Sequence, residues 1–133
     1  MAVLVDSCVI LDIVTNDPKW YSWSSTILAR KADVGSLVIN PIVYGEVSVG
    51  FSRIEDVDDI FDDSTFEYRS ISREAAFLAG KCFQKYKARG GVRTTVLPDF
   101  MIGAQAAVEG LEIITRDIKR FRTYFPSVQV ICP

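Results

Sequence analysis

The sequence predicts an α/β domain, with a mostly parallel central sheet covered by helices on both faces. Three observations predict it. Strand-like runs alternate with helical patterns along the chain, as in βαβ units. The runs "AVLV", "LVI" and "EIIT" are continuous and apolar, as strands buried on both faces are. The 133 residues favour a single domain, 1–133, and their apolar content suffices for a core.

The elements follow in order. A strand over residues 2–5 ends at Asp6, and a second apolar run begins two residues later. Residues 20–34 carry Trp20, Trp23, Ile27 and Leu28 at helical spacing. A strand follows over residues 37–39. Asn40 then Pro41 read as an N-cap and a proline at the first helical position, opening a helix over residues 41–51. A strand over residues 66–71 leads to Ser72, which caps a helix to about Arg89, where Gly90 and Gly91 stop it. Leu97-Pro98-Asp99 opens another helix to about Gly110. Strands over residues 112–115 and 128–132 close the pattern.

Composition removes several function classes. The chain has no histidine, which excludes Ser-His-Asp and Cys-His arrangements, HExxH zinc sites and histidine-pair cleavage of RNA. Cys8, Cys82 and Cys132 are odd in number and form no CxxC pair, against both a disulfide framework and a structural zinc site. A reducing cytoplasm fits. No apolar run approaches the ~18 residues of a membrane span, and the N-terminus does not read as a signal peptide. An enzyme of this composition works through carboxylates, lysines or an oxygen-held metal.

The net charge of −2 conceals an uneven distribution. Residues 55–67, "EDVDDIFDDSTFE", hold seven acids and no base, so the remainder carries ten acids against fifteen bases. Residues 69–122 hold eleven bases and five acids, enough for a basic face; a solvated helix surface is the plainer reading.

Four acids fall where an open α/β sheet binds ligands, outside the carboxyl ends of its strands. Asp6 follows the first strand. Asp117, with Thr115, follows "EIIT". Glu46 lies in the helix after "LVIN". Asp99 opens the helix before "EIIT", which also places it towards the carboxyl edge. Asp6, Asp99 and Asp117 equally suit helix N-caps, worth about 1 kcal/mol each. Glu46 is different: four after Ile42, three after Val43 and three before Val49, it is expected on the apolar stripe of its helix, where capping does not explain it. Together, four carboxylates without a cation repel and raise one another's pKa. Hard oxygen ligands without His or Cys suit magnesium or manganese, and such an ion supports phosphoryl chemistry without histidine.

These segments, "LVDSCVI" with Asp6, "PIVYGEV" with Glu46, "LPDFMIGAQA" with Asp99 and "IITRDIKRF" with Asp117, together resemble the PIN-domain nucleases. The chain's size and its closing "VQVICP" look like the VapC-type toxins of toxin–antitoxin pairs. The resemblance spans nearly the whole chain. It implies a three-layer α/β/α sandwich and a magnesium- or manganese-dependent endoribonuclease. Asp6, Glu46, Asp99 and Asp117 match the acidic positions that hold the metal. Thr115 matches the hydroxyl residue two before the last Asp, and Ser7 the small hydroxyl residue after the first. Cys8 departs from the Ser or Asn more common there; a thiol is a poor magnesium ligand.

On this reading Asp6 and Asp99 ligate directly, Asp117 directly or through water, and Glu46 ligates or orients the attacking water. Thr115 would hydrogen-bond the phosphate or a metal-bound water. Arg93, Arg116 and Lys119 are candidate RNA-backbone contacts, because they flank the cluster in the basic half. The resemblance also implies a small antitoxin (VapB-type) that covers the active site, and a homodimer. Trp20, Tyr21, Trp23, Phe51, Ile54, Ile60 and Phe61 divide between core and a groove for a partner helix. The acidic run would attract a basic antitoxin segment or merely solubilise the chain. The rival reading is a non-catalytic α/β interaction module whose acids are caps. A signalling receiver wants an acidic pair after the first strand, and a DxD phosphatase an Asp where Cys8 stands; neither matches.

Overall fold

The computed structural model describes residues 2–93 and 95–133. Five short strands, β1 (Val3–Val5), β2 (Leu37–Ile39), β3 (Phe66–Tyr68), β4 (Glu112–Ile114) and β5 (Val130–Ile131), form one sheet in the order β3-β2-β1-β4-β5. Every pairing is parallel, so the sheet is parallel throughout the described residues. Seven helices lie between the strands: α1 (Ser7–Val14), α2 (Tyr21–Val34), α3 (Pro41–Ser48), α4 (Ile54–Ile60), α5 (Arg73–Ala88), α6 (Leu97–Glu109) and α7 (Lys119–Tyr124). Helices α1 to α4 pack with one another, as do α5 to α7, the grouping that right-handed crossovers on this strand order require of an α/β/α sandwich. Among the described residues no helix is long and apolar enough to cross a membrane.

The core explains the apolar runs. β1, β2 and β4 are buried at every position, because helices cover both their faces. β3, at an edge, is mostly exposed. Below the sheet, Phe100 gathers Phe83, Tyr86, Tyr124 and Phe125 into an aromatic cluster between α5, α6 and α7. Gly103 lets α6 pass this cluster closely: a Cβ there would stand 2.3 Å from the Phe125 ring. Asn40 and Ser72 cap α3 and α5, accepting from the Val43 and Ala75 amides. Gly110 ends α6 in the left-handed conformation, with φ 69°.

Three expected boundaries move. The helix from Pro41 stops at Ser48 rather than Phe51, since the Ser48 hydroxyl donates to the Tyr44 carbonyl and a turn follows at Gly50. The strand from Phe66 stops at Tyr68, where Ser72 prepares the next helix. The last strand shortens to two residues, although Thr115 still donates across to Ile131. Two short helices were not expected: α4 inside the acidic run and the six-residue α7.

Candidate active site

The strand order reverses between β1 and β4, and the crevice at that switch point is where open α/β sheets place their ligands. Asp6 and Thr115 stand there, one residue beyond each strand. The Asp6 amide donates to the Ile114 carbonyl at 3.0 Å, continuing the ladder and fixing the backbone of the site. Asp6 also caps α1. Its Oδ1 accepts from the Ser7 amide at 2.8 Å, and its Oδ2 accepts from the Thr115 hydroxyl at 2.7 Å. Capping and site-building thus fall on one residue. Burial pushes the Asp6 carboxyl up; the bonds from Thr115, Ser7 and Cys8 pull the other way, and the charge of Asp117 pushes up again.

Thr115 is fully buried, and its hydroxyl is committed on both sides. It donates to Asp6 and accepts from the Asp117 amide at 3.0 Å. The single hydroxyl proton goes to Asp6, which leaves none for a phosphate. Thr115 is therefore a positioning residue that ties the β4 exit to the β1 exit. Cys8 lies 3.7 Å from Asp6 Oδ2, its thiol pushed up to about 11 by burial and by the Asp6 charge, so it is a neutral neighbour at ordinary pH.

Glu46 does not lie on the apolar stripe. The stripe of α3 is Val43 and Val47; Val49, counted towards it, falls past the helix end and is 88% exposed. Glu46 is exposed at the flank and reaches the rim by its side chain, where Oε1 accepts from the Ser7 hydroxyl at 2.9 Å. Ser7 thereby joins two acids, through its amide to Asp6 and through its hydroxyl to Glu46. Desolvation pushes the Glu46 carboxyl up; the Ser7 bond opposes this, and the charges of Asp6 and Asp99 add to it.

Asp99 sits in the first turn of α6 but makes no capping bond, and Asp117 precedes α7 without capping it. Both meet Arg120. Its Nη1 is 2.5 Å from Asp99 Oδ2 and 3.6 Å from Asp117 Oδ2. Burial pushes the Asp99 carboxyl up, as do Asp6 and Asp117, against the pull of Arg120. The four acids are thus electrostatically joined: Asp6 with Asp117, Glu46 with Asp6 and Asp99, and Asp99 with Asp6 and Asp117. Among the described residues, no three Asp, Glu or Cys side chains are drawn together as a ready set for a metal ion. The chemistry of the donors nonetheless fits a hard cation: all are carboxylate oxygens, and three of the acids are pushed up, first by burial and then by the charges of their acidic neighbours.

The basic candidates separate. Arg116 is held by the buried Asp12, Nε to Oδ2 and Nη2 to Oδ1 both at 2.9 Å, and its guanidinium lies over the Trp20 ring. The buried Ser24 hydroxyl donates to the same Asp12. Arg116 therefore anchors the loop after β4 to α1 and α2. Lys119 lines an open cleft of about 310 Å³ beside Asp117, with Arg120, Thr123, Tyr86 and Tyr124. Arg93 lies exposed between α5 and α6, its amide donating to the Tyr86 hydroxyl.

Sequence reasoning missed Arg120 and Asp12. Both had a signal. Arg120 is three residues after Asp117, the spacing of a helical ion pair, and Asp12 interrupts the apolar run "VILDIV".

The sequence matches the PIN domain family over residues 3–125. Chains of solved structures match over nearly their full lengths. One belongs to a toxin–antitoxin complex from Klebsiella pneumoniae, 27% identical over 98% of this chain and 97% of that one, with a TM-score of 0.71. Another is from VapBC-1 of nontypeable Haemophilus influenzae, 19% identical over 99% and 98%, TM-score 0.74. A third is from VapBC2 of Rickettsia felis bound to a DNA fragment from its promoter, 20% identical over 100% and 99%, TM-score 0.73. At those identities the latter two speak for the fold alone. No curated protein matches by sequence.

Proposed function

The chain belongs to the PIN domain family, and from that premise we propose that it is a magnesium- or manganese-dependent endoribonuclease, the toxin of a toxin–antitoxin pair. The observation that carries this reading is the rim at the β1/β4 switch point. Four carboxylates from four distant parts of the chain act on one another's charge around it without forming a closed metal set among the described residues, and burial and mutual repulsion raise three of them.

Asp6 and Asp99 would hold the metal directly, Asp117 directly or through water, and Glu46 as a ligand or as the acceptor of the attacking water's proton. Magnesium or manganese, when bound, supplies positive charge to the phosphoryl and leaving oxygens of the phosphodiester. Thr115 and Ser7 hold Asp6 and Glu46 in place by the bonds described above. Glu46 has the longest side chain of the four and is exposed, so it reaches the rim on a flexible stem and suits the handling of a water.

The related structures being toxin–antitoxin complexes supports an antitoxin partner. An apolar cleft of about 220 Å³, with Ile10, Ile13, Leu28, Leu37, Ile60 and Phe66 in its walls, suits one face of an amphipathic helix. Of the aromatic-rich set, Phe61 is core, whereas Tyr21 and Ile54 are exposed near this region of the chain. Asp58 and Asp59 on α4 would favour a basic partner segment. A homodimer in the cytoplasm completes the reading.

The test uses purified protein and total RNA, with manganese, with EDTA, and with Asp99→Asn. Discrete cleavage by the wild type with manganese alone supports the reading. Equal cleavage by Asp99→Asn or in EDTA overturns it.

A further inference from the structure

The site contains its own cation. Arg120 opens onto the rim from the first turn of α7, only 17% exposed, and spans Asp99 and Asp117. It serves half the cluster: the charges acting on Asp6 and Glu46 are those of other carboxylates. While the guanidinium lies on Asp99, the acids form no ready set for a metal among the described residues. A divalent ion drawn to Asp99 and Asp117 competes with Arg120 for their Oδ2 atoms.

There is a place for the displaced side chain. Arg120 also lines the 310 Å³ cleft beside Asp117, where Lys119 supplies a second positive charge and Tyr86, Thr123 and Tyr124 the remaining wall. A planar guanidinium that suits a carboxylate suits a phosphate equally, through the same fork of N–H donors. Tyrosine rings beside basic groups are the surface on which unstacked bases of single-stranded RNA lie.

We propose that Arg120 is an exchangeable counter-ion: it holds Asp99 and Asp117 until a divalent cation takes them, then turns into the adjoining cleft and holds an RNA phosphate next to the scissile bond. The proposal rests on the metal-dependent ribonuclease reading, and adds to it a residue that lowers cation affinity in the absence of RNA. The cation and RNA then favour one another, because each takes what the other requires Arg120 to leave or to reach.

The experiment titrates manganese by calorimetry into the metal-free protein without RNA, then measures cleavage of total RNA at saturating manganese. The proteins are wild type, Arg120→Gln, Arg120→Lys and Arg122→Gln. Arg120→Gln is expected to bind manganese about tenfold tighter, the worth of a charge-assisted hydrogen bond removed from competition, yet to cleave about tenfold more slowly. Arg120→Lys, which keeps the charge without the fork and protects against a folding failure, falls between. Arg122→Gln, whose guanidinium lies by Cys132 instead, matches the wild type. Equal or weaker manganese binding by both Arg120 variants overturns the exchange. Tighter binding with undiminished cleavage overturns the phosphate role. If no protein binds manganese, or the wild type with manganese bound cleaves nothing, the ribonuclease reading itself fails.

Discussion

Replacing Asp12 with alanine is expected to cost about 3–4 kcal/mol of stability, although the residue lies outside the acidic rim. Its side chain is 3% exposed and accepts both nitrogens of Arg116. Breaking a buried ion pair from one side costs about 3–5 kcal/mol, since the remaining charge is stranded. Arg116 keeps 29% exposure, so water recovers part of that and about 2–3 kcal/mol remains. The Ser24 hydroxyl, fully buried, also loses the acceptor 2.7 Å away, adding about 1 kcal/mol. Urea unfolding of Asp12→Ala, Arg116→Ala and the double variant gives the pairwise energy directly, with a coupling of about 1.5 kcal/mol or more expected. Arg116 follows Thr115 in the chain, so the loss also loosens the loop that carries Thr115 and Asp117. A cost under about 1 kcal/mol for Asp12→Ala, or strict additivity of the two single variants, refutes the reasoning.

Two further outcomes follow from the packing and the charges. Asp6, Glu46 and Asp99 have folded-state carboxyls above their ordinary range, so their contribution to stability is present below about pH 4 and is lost as pH rises through the raised values. The melting temperature in EDTA should therefore fall as pH rises above about 4, and manganese or Asp99→Asn should flatten the fall; a melting temperature that rises instead contradicts the assignment. Gly103→Ala would drive a methyl into the Phe125 ring and is expected to cost about 1–3 kcal/mol, read by denaturant midpoint, with a neutral result contradicting the close approach.

How much of this was legible in the sequence depended on periodicity and on charge. β1, β2 and β4 were readable because burial on both faces leaves short strands uninterrupted and apolar. Asn40, Ser72 and Gly110 marked helix ends through local chemistry, which needs no tertiary context. α4 was overlooked, because four of its seven residues are acidic and its apolar spacing of Ile54, Val57 and Ile60 is brief, with only Val57 buried. At the site, the convergence of Asp6, Glu46, Asp99 and Asp117 on one edge followed from topology alone. The position of Glu46 did not: counting Val49 as core assumed a helix longer than the one that ends at Ser48. Arg116 was expected as an RNA-backbone contact and Arg120 was passed over, and only the tertiary positions of Asp12 and Asp99 reveal their partners. Conversely, the polar link from Asn40 to Gln105, which joins α3 to α6 behind the site, arises between residues too far apart for any local pattern.

The proposed activity is the cutting of RNA at the acidic rim. Its most direct test maps new 5′ ends in total RNA from cells induced for the wild type or for Asp99→Asn, with both proteins shown to be folded. Discrete new ends, and arrested growth, are expected with the wild type alone. The same ends in both, or none with the wild type, would contradict it.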